Sequence, residues 1–510
     1  MAHFLMSAAD LTRTIEDFLT DCPQSIVVED GQVIFDLSSA KYSISAARDK
    51  CVLEMWSEER NHVRRVEAAE LKNGALRLSV RKFGEARPHK IEICSEADRR
   101  TPTAKKAARS AYQRLLERTL QRSFPDFVLE HKRLSTAVDL EHSFGPAYAR
   151  GLLRKGRSAF AVLGVGNDEA AATVDAALAI GLLWLDHCRN SFDRGAVQGL
   201  KLFLPLGRSE TVRARAAHLG SGARVRIFEV QERDEVLTEF DAFDGGNIAT
   251  RLVHAPNEAT ARERFASAIE KIEAMVPRVD IVVASAGEIS FRLHGLEFAR
   301  ARAGIGSSFS PEQRITFGAG RFEVTLTDDN QEQFHDLMKR VAVSRGASGD
   351  RRDALWRLQP ERWLESMVIA DITAIDAQLD PSFVYSQVPA FAASDRAMID
   401  VLARTRSGRL AVIELKADED LQLPMQGLDY WSRVHFHQQR EEFQKFGYFP
   451  GKTLTNEPPL LYLVAPALRV HPSTDALMKF LSGKVDWHFV GVNEDWRNGL
   501  RVIFRKSRKS

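Results

Sequence analysis

Asp400-Val-Leu-Ala-Arg-Thr-Arg-Ser-Gly-Arg-Leu410-Ala-Val-Ile-Glu414-Leu-Lys416 is the stretch on which the reading of this chain turns. The apolar run Leu410-Ala-Val-Ile413 predicts a buried strand, with Asp400 on the strand before it. Successive strand side chains alternate between faces, so Glu414 and Lys416 point the same way. Charged groups at the end of a buried strand cost free energy and need a reason. Two acids and an amine in this pattern suit a divalent cation with a lysine beside it.

Such a set has the parts for hydrolysing a phosphodiester. A hard cation held by carboxylates with open positions can neutralise charge on phosphorus, activate water and stabilise the leaving alkoxide. Asp400 and Glu414 are the expected ligands, with the backbone carbonyl of Leu415 between them. Lys416 is expected to orient or deprotonate water, or to stabilise the phosphorane. Mg²⁺, with Mn²⁺ as a substitute, suits a site of few carboxylates because it keeps several waters.

Here the chain resembles the PD-(D/E)XK nuclease superfamily. The resemblance rests on Ile399-Asp400-Val401, the interval to Glu414-Leu415-Lys416, and Gln426-Gly-Leu-Asp-Tyr430, which is similar to the Q-x-x-x-Y element of one branch. It covers roughly residues 353–510. The resemblance implies a Mg²⁺-dependent deoxyribonuclease of repair, restriction or mobile-element defence. Asp400, Glu414, Lys416, Gln426 and Tyr430 are then catalytic, and Glu365 on the preceding helix is a further acidic ligand. If residues 426–437 are helical, Arg433 and His437 share a face with Gln426 and Tyr430 and are expected to contact nucleic acid. His435 and His437 diverge on a helix and do not form a metal pair.

The chain also reads as one architecture written twice. Ile26-Val-Val28 matches Ile281-Val-Val283, Tyr42 matches Phe298, and Arg114-Leu-Leu-Glu117 matches Arg362-Trp-Leu-Glu365. Phe160-Ala-Val-Leu163 matches Leu410-Ala-Val-Ile413, and Ser221-Gly222 matches Ser482-Gly483. These matches keep their order at an offset of roughly 255 residues. The expected fold is α/β (α+β): two restriction-endonuclease-like mixed β-sheet domains flanked by helices, each preceded by a small β-rich domain. The expected boundaries are 1–100, 101–250, 255–345 and 353–510. Helices are expected near 107–124, 360–378, 209–220 and 473–483, the last with Ser473 as a hydroxyl N-cap. A hairpin turn is expected at Asn73-Gly74, and a joint between the halves at Gly245-Gly246 to Asn257.

Ungapped alignment puts Arg150 opposite Asp400, Gly164 opposite Glu414 and Gly166 opposite Lys416. A site without carboxylates cannot hold the cation, so the first nuclease-like copy is expected to be inactive. It would serve as scaffold, binding surface or internal dimer partner.

Composition sets wider bounds. The chain has 510 residues, 44% hydrophobic and 27% charged, with a net charge of +2, so no global basic field points to nucleic acid. Four cysteines without CxxC spacing argue against a disulfide scaffold or zinc knuckle. The apolar stretch 170–185 is short and contains Asp175, and the N-terminus does not read as a signal peptide, so a cytoplasmic location without membrane contact is expected. The absence of a GxxxxGK[ST] loop argues against intrinsic ATPase activity. The expected partner is nucleic acid, DNA first; a homodimer or an ATP-driven helicase partner is compatible with this reading. The basic tail Arg505–Ser510 is expected to be a solvated terminus.

Overall fold

The computed structural model describes residues 7–508 apart from 23–24, 30–31, 38–40, 48–49, 57–59, 73–74, 83–87, 96–101, 194, 244–249, 277–278, 306–310, 320–322, 347 and 392–395. The Asn73-Gly74 turn and Gly245-Gly246 therefore lie outside the described residues. The fold is mixed α/β.

Two sheets of matching design form its centre. The first runs, in spatial order, β1 (Val128–Leu129), β2 (Tyr148–Lys155), β3 (Ser158–Val165), β4 (Ala196–Pro205), β5 (Val225–Gln231) and β6 (Val236–Phe240). The second runs β7 (Tyr385–Phe391), β8 (Arg396–Arg404), β9 (Leu410–Leu415), β10 (Leu460–Pro466), β11 (Asp486–Val492) and β12 (Val502–Ser507). In both, the third, fourth and fifth strands are parallel and the remaining pairings are antiparallel. Strands β9 and β10 are buried along their whole length, as expected of strands covered on both faces.

Helices cover both faces. Helix α1 (Pro102–Ser123) lays Leu116 and Leu120 against Val162, Phe203 and Phe228 of the first sheet. Its counterpart in the second unit, helix α4 (Pro360–Ala370), packs Trp363, Leu364 and Val368 against Ile413, Tyr462 and Val464. The opposite faces meet in one continuous core through helices α2 (Ala177–Ser191), α3 (Glu210–Ala216), α5 (Leu423–Gln439) and α6 (Thr474–Met478). Residues 171–191 are long and apolar enough to cross a membrane, but here they break at Ala176 and bury much of α2 in this core.

The seam between the units is nearly two-fold. Leu219 and Leu481 form an isolated antiparallel bridge. Gly220 donates to the Phe480 carbonyl at 2.7 Å, and Ser482 donates to the His218 carbonyl at 2.9 Å. Each half supplies the same two positions.

A smaller antiparallel unit precedes each central sheet. In the first, helix Ala8–Asp21 is closed by a Ser7–Asp10 capping box and packs Leu11, Ile15 and Leu19 on Val27, Leu53 and Leu78. Its strand Arg60–Lys72 pairs with β8, Asn61 opposite Arg396 and Arg60 opposite Ala397, so these strands continue the second sheet. In the second, five strands between Asp280 and Thr325 bury Phe291 and Phe298 against Phe334 of helix Gln331–Ser344.

Several expected elements end differently. Helix α4 stops at Ala370, where Asp371 leaves helical geometry and caps a 3₁₀ turn through Thr373. Helices α3 and α6 stop at Ala216 and Met478, because the chain beyond them is drawn into the Leu219–Leu481 bridge. Ser473 does not cap α6 with its hydroxyl, and at the counterpart position the Ser209 hydroxyl donates to Glu229 at 2.6 Å. Within the tail, Arg505–Ser507 belong to β12, where Arg505 donates to the Ile375 carbonyl at 2.7 Å and Lys506 meets Asp475 at 2.6 Å.

Candidate functional site

Strands β8 and β9 pair Val401 with Ile413, which sets Asp400 across from Glu414. The Glu414 carboxyl is near enough to affect the Asp400 pKa, and Asp400 Oδ2 accepts the Leu415 N–H at 3.1 Å. Leu415 thus meets Asp400 through its N–H. Glu414 is buried, only 2% exposed, and Lys416 is nearly as buried. Lys416 Nζ stands 3.8 Å from Glu414 Oε1 and 3.7 Å from Asp420 Oδ2, held between two acids.

Glu365 completes the cluster from α4. Its Oε2 accepts from Arg362 at 2.8 Å and Gln387 at 3.0 Å, while the buried Oε1 has no hydrogen-bond partner. Burial raises the Glu365 pKa; Arg362 and Arg292 oppose the rise and the nearby Asp400 adds to it. Burial likewise raises that of Asp400, against the pull of Arg362 and Lys416. Burial thus favours the neutral form of both carboxyls, and a nearby cation would oppose that shift.

The second small unit fixes the helix carrying Glu365. Gly295, in the left-handed region at φ +74°, lies so close to the Arg362 carbonyl that a Cβ would collide with it. Arg345 donates to the His294 carbonyl at 2.7 Å and stacks 4.4 Å from the centre of the Trp363 ring. Arg292, Arg362, Gln387 and Asp420 escaped the sequence reading. Only Asp420, four residues after Lys416 in an acidic run, left a local signal.

Helix α5 seats against the site at Gly427, where a Cβ would come within 2.5 Å of Leu463 Cδ2 and 3.6 Å of Glu414 Cβ. Gln426 directly precedes this contact, and Tyr430, buried, lies one turn further along in the core between the units. Arg433 is partly exposed. His437 is buried, with Nε2 3.0 Å from Thr250 Oγ1 and Nδ1 on Glu442, so both ring nitrogens are engaged inside the protein and not at a nucleic-acid surface.

The first unit corrects the alignment of the strand. Gly181 of α2 packs on Leu200 and Leu202 as Gly427 packs on Leu461 and Leu463. Arg150 pairs with Leu163 where Asp400 faces Glu414. Leu163 and Val165, not Gly164 and Gly166, therefore occupy the Glu414 and Lys416 positions. Gly164 faces Leu116 and Tyr112 of α1, on the opposite side of the sheet. A one-residue shift on a strand changes faces, which direct alignment of letters cannot detect. Arg150 does take the place of Asp400, and Trp184 that of Tyr430, so the first unit has no carboxylates at this position.

Among the described residues no three His, Cys, Asp or Glu side chains form a ready-made metal cage. The donors at hand are carboxylate oxygens, one of them the unpartnered Glu365 Oε1, and this chemistry fits a hard divalent cation that keeps waters of its own. Compared with known families the chain matches none, and no curated protein is significantly similar to it.

Proposed function

We propose that this chain is a metal-dependent nuclease of the PD-(D/E)XK kind that hydrolyses phosphodiester bonds in DNA. In this reading the second unit is the restriction-endonuclease-like catalytic domain and the first is its inactive counterpart. The observation that carries it is the placement of Asp400 across the strand pair from Glu414, with Lys416 Nζ 3.8 Å from the Glu414 carboxylate. A bound Mg²⁺ would supply Lewis acidity at the phosphate and a more acidic water. Asp400 and Glu414 would hold that ion, with the Glu365 carboxylate as a further acid nearby. Lys416, with its charge shared between Glu414 and Asp420, would orient the attacking water or meet the developing charge on phosphorus. Gln426 would sit at the rim beside them.

The test is incubation of the purified protein with supercoiled, linear and single-stranded DNA in Mg²⁺ or EDTA. Mg²⁺-dependent cleavage that drops at least about 100-fold in Glu414→Gln and Lys416→Ala supports the assignment. Cleavage that survives either substitution refutes the site.

A second reading is favoured by the pairing of Glu365 with Arg362 and Gln387, which already meets part of its charge. In that case the acids form an ion-pair network in a nucleic-acid-binding or interaction scaffold without turnover. DNA binding with no cleavage under Mg²⁺ or Mn²⁺ would decide for it.

A further inference from the structure

A hairpin of the inactive unit leans over the loop that follows Lys416. Asp139 and Phe144 exchange backbone hydrogen bonds of 2.9 and 2.8 Å, leaving Leu140–Ser143 as its turn. Ser143 Oγ lies 3.2 Å from His471 Nε2, and the same nitrogen is 3.8 Å from Glu419. Glu419 is three residues beyond Lys416, and His471 follows β10, parallel to β9. The hairpin thus reaches the end of the second sheet at which β9 delivers Lys416.

The vacated position of the first unit anchors it. Arg150, standing where Asp400 stands in the second unit, donates from Nη2 to the Ala137 carbonyl at 2.5 Å. Its guanidinium lies 4.5 Å from the centre of the Phe144 ring and 5.7 Å from that of Trp184. His142 is tied to Asp139 at 2.9 Å and packs edge-on to His187. A turn held this firmly nonetheless presents apolar side chains to water: Leu140 is 87% exposed and Val138 58%. Leu468, three residues before His471, is 82% exposed.

We infer that the 137–144 hairpin is a DNA wedge, with Leu140 inserting at a base step next to the scissile phosphate. The inference rests on the nuclease reading of the neighbouring site. Aliphatic side chains on rigid turns pry base steps apart, and the few kcal/mol of unstacking is recovered in closer contact. The tip is not a phosphate contact, because Glu141 follows Leu140 and Asp139 precedes it. Phosphate contacts would come from exposed His131, Lys132 and Arg133 near the hairpin's base. The inactive unit then contributes directly to substrate handling, its former metal position serving as a hinge pin for the wedge.

The experiment uses the full chain with duplexes carrying 2-aminopurine at successive positions, in Ca²⁺ to follow binding and in Mg²⁺ to follow cutting. The wild type is expected to raise fluorescence at one or two adjacent steps. Leu140→Asp should lose that rise at least five-fold and slow cutting at least ten-fold, with an unchanged circular dichroism spectrum, and Leu140→Met should retain both. Leu140→Asp that unstacks and cuts like the wild type overturns the wedge and leaves the nuclease standing. A wild type without Mg²⁺-dependent cutting overturns the nuclease, and the wedge is then decided by fluorescence: no rise at any position overturns it too.

Discussion

Arg215 of the first unit grips Asp429 of the second through its Nε and Nη2, with the closest contact at 2.7 Å, and donates from Nη1 to the Asp175 carbonyl at 2.6 Å. The pair sits in the seam where α3 meets α5. Removing one partner of a buried ion pair leaves an uncompensated charge, so Arg215→Leu should cost about 3 kcal/mol or more. The Arg215→Leu/Asp429→Leu double variant should regain much of it. Urea unfolding of the single and double variants checks this; additive losses would show that the two residues do not act together.

The seam should also be acid-sensitive. Burial lowers the pKa of His218 to about 4, with His435 and Lys484 also pushing it down and Asp429 opposing, while its ring packs edge-on to Trp431. The unfolded chain takes up this proton near pH 6.5, the folded chain only near pH 4. Stability from this group is therefore complete above the unfolded value and falls with pH through that interval, by up to about 3 kcal/mol. His218→Gln should flatten the fall in melting temperature between pH 7 and 4.5; an unchanged slope would remove His218 as its source.

Gly427 and Gly181 are equivalent positions and make a controlled pair. At either, a Cβ would run into buried leucines of the sheet beneath. Gly427→Ala and Gly181→Ala should each cost about 1–3 kcal/mol through overpacking. Only Gly427→Ala should also depress cleavage, since only that helix rests on Glu414. Equal activities in the two variants would detach α5 from the chemistry.

With one set of acids per chain, a single binding event should cut one strand. Supercoiled plasmid is expected to pass through the open circle before linear product accumulates. Concerted linearisation by the monomer on first encounter would contradict this.

The sequence carried the strand reading and the acids upon it. Leu410–Leu415 is apolar enough to form a buried strand in almost any packing, and alternation alone puts Glu414 and Lys416 on one face. The order of repeated matches likewise foreshadowed two sheets of the same strand order, because each match marks an element whose pattern is local.

Tertiary structure decided the rest, since it depends on contacts between residues far apart in the chain. Which face Gly164 occupies follows from the helix covering it, not from the letters around it. His437 looked available on a helix face, but Thr250 and Glu442 take its ring inward. The partners of Glu365 arrive from β7 and from the second small unit, and the hairpin over the Lys416 loop comes from the other half of the protein. No local spacing encodes such meetings; chain folding creates them by bringing distant side chains within a few ångströms.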